Sequence, residues 1–451
     1  MNIIFVTPAP ALRRFWAYRV GGKLYGQPNS ITGPLILGGI LKRAGHHVEV
    51  YEELNGKLNY EKLYKADVVC ISIMTSNSKR GYELADMVHK DGHGRVLIGG
   101  MHASALPEEA AAHADQVIVG EGEKVILDVV EGRHTEHIVH AEPLCSLDEA
   151  PFPDYSILMT PVKAANVLST RGCPFRCTFC TTSRMFAPYR QRSVENVIAE
   201  LRMYKQMGFK YMNFEDDNFT ADKERAKAIC RAMIKENLIF KETFFFGRTD
   251  LAKDEELLDL LKKAHLTRVL IGIESLNQKA LDSINKHQDI EDIKAAAAAC
   301  KKHGIRMIAS IVLGLDEDNQ EDIEIAVHFA MSIDAYQLQP AVLTPLPGTP
   351  VYDQLEKEGR LLTENWEAHD FMTVTFKPKQ MTCWELQDEF FKATKEFYNF
   401  HSSFKIGKLF GAEYGWRRFG LALNACLGTA GARYSADHIK NSYYYYLKHL
   451  V

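Results

Sequence analysis

The chain has 451 residues, 46% hydrophobic and 25% charged, which excludes a disordered or fibrous polymer and leaves room for about three domains of roughly 150 residues. A formal net charge of -4 gives no basic footprint, so no nucleic-acid partner is expected. The opening MNIIFVTPAP lacks the basic lead and apolar length of a signal peptide, and no run is long and apolar enough to span a bilayer, so a cytoplasmic protein without a transmembrane segment is expected.

From residue 1 to about 125, short apolar runs alternate with helical stretches. The runs are IIFVT (3–7), HVEVY (47–51), DVVCISI (67–73), RVLIGG (95–100) and QVIVG (116–120), and they read as parallel strands buried on both faces. GPLILGGILKRAG and SKRGYELADMVHKDG between them carry helical spacing and end in glycine. A doubly wound α/β domain over 1–130 is predicted, with its ligand site at the carboxyl ends of the strands. Residues 131–165, rich in proline and turn formers, read as a linker.

A second alternating series covers 166–350. Its strands are NVLST (166–170), KYMNFED (210–216), FFFGRT (244–249), TRVLIGIE (267–274), RMIASIVLG (306–314) and AYQLQPAVLTP (335–345). Six βα units fall short of the roughly eight in a closed barrel, so an open six-stranded partial barrel is expected. Residues 351–451 turn helical and aromatic. FKIGKLFGAEYGWRRFGLALNACLG mixes basic and large apolar residues, consistent with capping helices, a lid over a hydrophobic substrate, or a membrane-surface helix.

Nine cysteines, an odd number, do not form a secreted disulfide framework, and six of them stand alone in the sequence. Cys173, Cys177 and Cys180 stand together in STRGCPFRCTFCTT, directly after the strand NVLST. Three thiolates so spaced can hold three corners of a cubic iron-sulfur cluster, and Gly172 and Pro174 suit the irregular loop this needs. With no fourth cysteine nearby one iron stays open, whereas a structural zinc site would want a fourth Cys or His close by.

C-x3-C-x-F-C on a six-unit partial barrel resembles the radical S-adenosylmethionine enzymes. The resemblance implies a 4Fe-4S cluster whose open iron is chelated by S-adenosylmethionine, reductive cleavage to a 5′-deoxyadenosyl radical, a low-potential donor such as flavodoxin or ferredoxin, and oxygen sensitivity. It also implies cofactor contacts for Phe179 in the motif and for Glu215, Asp216 and Asp217 in NFEDDNFT, which would take the S-adenosylmethionine ammonium. The family often carries Gly-Gly-Glu there, and this sequence departs from it; a solvated acidic loop or a helix cap is the other reading. Arg248 would pair with the cofactor carboxylate, Glu274 would bind the ribose, and Gly314 would let the backbone approach the adenine. Buried ion pairing is the alternative for Arg248 and Glu274.

The first domain resembles the cobalamin-binding domain of the cobalamin-dependent branch of that family, through ITGPLILGGILKRAGHHVEVYE, ISIMTSNSKRGYELA, IGGMHASALPEE and VIVGEGE. Ser72, Thr75, Gly99, Gly100, His102, Gly120 and Glu121 are then expected at one sheet edge, where a corrin would rest. The Asp-x-His-x-x-Gly motif that elsewhere supplies a lower axial histidine is missing, and TPAPALRR stands in its place. The resemblance implies methylation of an unactivated carbon of a small molecule, possible substrates including hydrophobic ones. Radical cyclisation, carbon-carbon coupling or rearrangement without methyl transfer is the alternative. A non-catalytic iron-sulfur or corrinoid-binding module is a third reading, disfavoured by the open-iron spacing.

Overall fold

The computed structural model describes residues 1–11 and 30–450. Of the TPAPALRR stretch, Leu12, Arg13 and Arg14 lie outside the described residues. The described residues form two compact units, one from 1–11, 30–173 and 181–216, the other from 174–180 and 217–450.

In the first unit, β1 (Asn2–Thr7), β2 (His47–Glu52), β3 (Val68–Ser72), β4 (Arg95–Gly99), β5 (Gln116–Val119) and β6 (Ile138–His140) make a parallel sheet in the order β2-β1-β3-β4-β5-β6. The five expected strands are all present. The sixth, only three residues long, falls in the segment 131–165 and pairs with β5, as Val119 opposite His140 shows. Parallel pairing needs crossovers, and helices α1 (Thr32–Arg43) and α2 (Ser78–Asp91) supply two of them. Strand periodicity then divides the core between two faces. Ile3 and Phe5 pack with Leu35 and Leu41 of α1, while Ile4 and Val6 pack with Leu84 and Val88 of α2. Each fully buried side chain of this kind contributes about 1.5–3 kcal/mol.

The same unit holds β7 (Ala164–Val167) and β10 (Tyr211–Phe214), paired in parallel with Asn166 opposite Asn213. It also holds a short antiparallel pair, β8 (Thr170–Arg171) with β9 (Arg190–Gln191), and helix α3 (Val194–Gln206).

In the second unit, β11 (Glu242–Gly247), β12 (Leu266–Glu274), β13 (Arg306–Leu313) and β14 (Gln337–Val342) are successive parallel neighbours. The strands β7 and β10–β14 are ordered β14-β13-β12-β11-β10-β7, the six-stranded open sheet expected from the sequence. Helices α4 (Lys223–Lys235), α5 (Glu255–Lys263), α6 (Ile290–His303) and α7 (Gln320–Ser332) alternate with β10–β14. Asp222, Asp254, Asp289 and Asn319 cap them by accepting a backbone N–H from the first turn. The alanine-rich α6 buries Ala296 and Ala297 and ends at left-handed Gly304. The tail is helical, with α8 (Cys383–Phe397), α9 (Phe400–Phe410), α10 (Ala412–His438) and α11 (Tyr443–His449).

Residues of this tail seal the amino-terminal end of β11–β14. There the buried Glu242 forms an ion pair with Arg268 at 2.9 Å and accepts from Arg306 at 2.6 Å and from the Tyr414 hydroxyl of α10 at 3.1 Å. Arg306 also lies 4.4 Å over the Tyr414 ring. Arg418 donates to the carbonyls of Ala335, Tyr336 and Phe397, and burial lowers it to about 10.

Candidate cofactor site

The cysteine loop begins at Gly172, whose φ of +80 is left-handed; a Cβ there would sit 2.6 Å from the Phe186 carbonyl oxygen. Cys173 closes the first unit, while Cys177 and Cys180 belong to the second. Cys177 is buried, and Cys173, Cys180 and Phe179 are half-buried. The Cys180 N–H donates to the Cys177 carbonyl at 3.2 Å, turning the loop back on itself. All nine cysteines are free thiols. Among the described residues no three His, Cys, Asp or Glu side chains are already gathered as a metal-holding group.

A second loop grips this one. The Thr178 N–H donates to the Ile284 carbonyl at 3.1 Å, and the Asn285 amide donates to the Arg176 carbonyl at 3.0 Å. Asn285 and His287 are left-handed, with φ of 56 and 50, so Lys286 stands between two residues in sparsely populated backbone. Its ammonium pairs with Glu274 at 2.5 Å, both groups being buried, and Glu274 is itself left-handed at φ 63. Gly272 makes room for the pair: a Cβ there would lie 2.2 Å from Glu274 Oε1 and 2.5 Å from Lys286 Nζ. Gln288 fastens the loop to β12 by donating to the carbonyls of Gly272 and Ile273, each at 3.0 Å.

Arg248, directly after β11, is buried with its guanidinium 3.8 Å over the Phe175 ring. It donates to the carbonyls of Lys286 and His287 and pairs with no carboxylate among the described residues. A buried guanidinium without a counter-charge is costly unless an anion joins it. The neighbouring thiol is one candidate anion. Burial pushes the Cys177 thiol up, while the cations of Lys286 and Arg248 act against that and favour the thiolate. Glu274 therefore takes part in buried ion pairing, the alternative reading of its sequence, whereas Arg248 does not.

The acidic run after β10 divides by residue. Glu215 is half-buried, and its N–H donates to the Val167 carbonyl at 2.8 Å. Asp217 is exposed. Asp216 is fully buried, and its carboxylate accepts from the Ser169 hydroxyl at 2.7 Å, the Thr170 hydroxyl at 3.0 Å and the Thr170 N–H. These bonds fix the segment that leads into the cysteine loop, so Asp216 positions that segment. Gly314 has φ +88, and a Cβ there would meet Leu386 of α8 at 2.5 Å. Its left-handed backbone and missing side chain are used by that packing.

In the first unit the expected edge residues do gather. Ser72 and Gly99 end β3 and β4 opposite each other, and the Ile73 N–H donates to the Gly99 carbonyl at 2.9 Å. Gly100 is left-handed at φ +103, where a Cβ would strike the Ile73 carbonyl at 2.6 Å. The Gly120 N–H donates to the Ser104 hydroxyl at 2.9 Å. Two residues behave differently from an open edge. His102 is fully buried, with ring nitrogens 3.3 Å from the Thr75 hydroxyl and 3.1 Å from Glu109, so it braces the loop from within. Glu121 is buried between Arg171, at 2.7 Å, and Arg190. Burial alone would raise Glu121, but the two guanidiniums outweigh it and hold the carboxyl below its usual range. Arg171 also pairs with Glu123, so one ion-pair network ties the end of β5 to the stem of the cysteine loop.

Comparison with known proteins adds to this geometry. The family model described as B12 binding domain matches residues 32–130, and that described as Radical SAM superfamily matches residues 167–330. An uncharacterised methyltransferase of Pyrococcus horikoshii is 30% identical over 396 residues, covering 79% of this chain and 85% of that protein. The chain belongs to the radical SAM superfamily. Bacteriochlorophyllide d C-12(1)-methyltransferase of Chlorobaculum tepidum is 28% identical over 347 residues, 74% of this chain and 75% of its own. In fold, this radical SAM chain is similar to the radical S-adenosylmethionine methyltransferase TsrM from Kitasatospora setae, solved with cobalamin and a [4Fe-4S] cluster bound. The TM-score is 0.68 at 15% identity, with 95% of this chain and 99% of that one covered.

The superfamily assignment brings a 4Fe-4S cluster and S-adenosylmethionine, and the B12-binding domain brings cobalamin. This radical SAM chain offers residues that fit them: unbridged thiols as soft donors, two buried cations against one of those thiols, and Gly99, Gly100 and Gly120 at the carboxyl ends of β4 and β5. Sequence reasoning missed Lys286, Asn285 and Gln288. Their only sequence signal is polar residues shortly after GIES, and it gives no hint that the loop folds back onto the cysteines. No helix among the described residues is long and apolar enough to cross a membrane.

Proposed function

We propose that this radical SAM enzyme methylates an unactivated carbon of a hydrophobic small molecule. The observation that carries the reading is the joining, in one chain, of a B12 binding domain over 32–130 to the thiol motif of the radical SAM domain over 167–330. In this reading Cys173, Cys177 and Cys180 ligate the cluster. Arg248, with Glu215 and Asp217, takes the charged ends of S-adenosylmethionine, and Phe179 borders it. Glu274, oriented by Lys286, faces the ribose. Ser72, Thr75, Gly99, Gly100 and Gly120 form the floor on which the corrin lies.

When bound, the cluster supplies the electron that cleaves S-adenosylmethionine, and cobalamin carries the methyl group. The chain's own work is positioning and charge placement. Lys286 and Arg248 stabilise the anions that gather at the loop, and their burial strengthens that effect relative to water. Asp216, through Ser169 and Thr170, and Glu121, through Arg171, hold the segment before Cys173. We assign the protein to the cytoplasm, with flavodoxin or ferredoxin as its electron donor.

The test is anaerobic incubation of the reconstituted enzyme with methyl-labelled S-adenosylmethionine, a low-potential reductant and hydrophobic extract fractions. Label in a product together with release of 5′-deoxyadenosine is expected. Release of 5′-deoxyadenosine with no labelled product from any fraction points to rearrangement or coupling, and absence of corrin absorption after growth with cobalamin removes the methyl-transfer reading.

A further inference from the structure

The helix pair α9–α10 leaves an apolar face uncovered. Along α10, Trp416, Phe419, Leu423 and Leu427 recur at intervals of three, four and four, which places them on one side of the helix. Trp416 is 72% exposed and Leu427 53%. On α9, Phe400 and Phe404 stand one turn apart, 58% and 77% exposed. The Phe419 ring lies 5.2 Å from Phe400 and 5.7 Å from Trp416, so the two stripes join. Glycines let the helices meet closely: a Cβ on Gly415 would lie 2.8 Å from the Gly407 Cα. The opposite side is already spent on the protein, since Ile406, Arg418, Ala422 and Ala425 are buried. A contiguous exposed apolar surface of this kind marks an interaction site.

We infer that this face docks on the surface of an anionic lipid bilayer. From Phe419 to Ala432 α10 carries no charged residue. Of the five basic side chains in residues 400–438, Arg418 is buried and Lys405, Arg417 and Arg433 pair with Asp334, Glu413 and Asp388, so the cation this face offers to anionic headgroups is Lys408. Lys408 lies one turn beyond Phe404 on the same face, is exposed, and makes no ion pair among the described residues. Protein-protein interfaces are depleted of lysine at their centre, whereas helices lying in a membrane interface combine Trp, Phe and Leu with flanking lysine. Because α10 is not apolar enough to cross a bilayer, the pair lies on the surface. Such a site delivers the enzyme to substrates that partition into membranes, and it stands independently of the reaction catalysed.

The test is co-sedimentation of the full chain with vesicles of phosphatidylcholine alone and of phosphatidylcholine mixed with phosphatidylglycerol. Binding is expected, tighter to the mixed vesicles. The double substitution Phe404→Ser with Trp416→Ser, at exposed positions, weakens it at least about tenfold while leaving the melting temperature in place. Lys408→Glu removes the preference for the anionic lipid. Failure of the unmodified chain to bind either vesicle overturns the inference. So does a dimer in light scattering that the double substitution converts to monomer, since the face would then cover a second copy.

Discussion

The two ends of β11–β14 both carry buried charge, and they use it differently. At the amino-terminal end Glu242 is enclosed by Arg268, Arg306 and Tyr414, partners that come from the strands and from α10. At the carboxyl end Lys286 has Glu274, but Arg248 has, among the described residues, backbone carbonyls and the face of Phe175 and no carboxylate. At the first end Arg268 and Arg306 each have a carboxylate partner, the Glu242 they share. The other holds a cation in reserve beside a thiol and a loop clamped in place. Conserving charge for a ligand costs stability locally, and the sealed opposite end offsets it, a division of labour common to barrel folds.

The largest effect is expected of Cys177→Ala at the carboxyl end. It is expected to abolish cluster loading, read as iron and sulfide content and visible absorption, and with it release of 5′-deoxyadenosine, while the melting temperature of the apoprotein stays near that of the parent. Retained cleavage would remove Cys177 from the ligand set. The counterpart at the sealed end is Glu242→Ala, which leaves two half-buried guanidiniums without their carboxylate and is expected to cost about 3 kcal/mol in denaturant unfolding, the low end for breaking a buried pair. Cluster absorption of the protein that remains folded should be unchanged. If stability holds and the cluster is lost instead, the two ends are not separable in the way proposed.

A smaller effect is expected for Lys286→Met. The change removes the cation facing Cys177 and frees Glu274, so S-adenosylmethionine binding should weaken by about 10–100-fold, the range for supporting residues behind a metal site. Calorimetric titration of the cluster-loaded enzyme measures it. Lys286→Arg should restore part of the loss, because charge and reach are kept; an equal loss in both variants would mean that packing, and not charge, is what the site needs.

Lys286 also shows where sequence reading stops. Strand positions were legible because apolar runs bounded by turn formers carry their own periodicity, and the cysteine spacing is a local chemical pattern. Glu121, Asp216 and His102 sit at strand ends and were read as ligand contacts for that reason. In the structure each is held by partners of the same unit: Arg171 and Arg190, Ser169 and Thr170, Thr75 and Glu109. A side chain's partner is set by tertiary return of the chain, and residues as distant as Glu121 and Arg190 share no local signal. The same holds for Gly314, whose bare Cα serves Leu386.

The smallest effect is expected at Asp318, in the loop after β13, whose partner Ser275 directly follows Glu274. The Ser275 hydroxyl donates to Asp318 at 3.0 Å. Burial pushes the Asp318 carboxyl up to about 7, with Asp322 and Glu317 adding repulsion and the Ser275 hydrogen bond opposing it. Its folded value therefore lies above its unfolded one, 3.8. Between these values the folded chain binds more protons than the unfolded chain, so the stability this group contributes is complete below about pH 4 and is lost as pH rises through about 7. Thermal unfolding followed from about pH 5 to pH 8 should show that decline. Asp318→Asn keeps an oxygen acceptor for Ser275 and cannot ionise, so its melting temperature should vary less over the same interval. If both proteins decline in parallel, the pH dependence arises elsewhere, and the carboxyl end has no neutral acid to set beside its reserved cation.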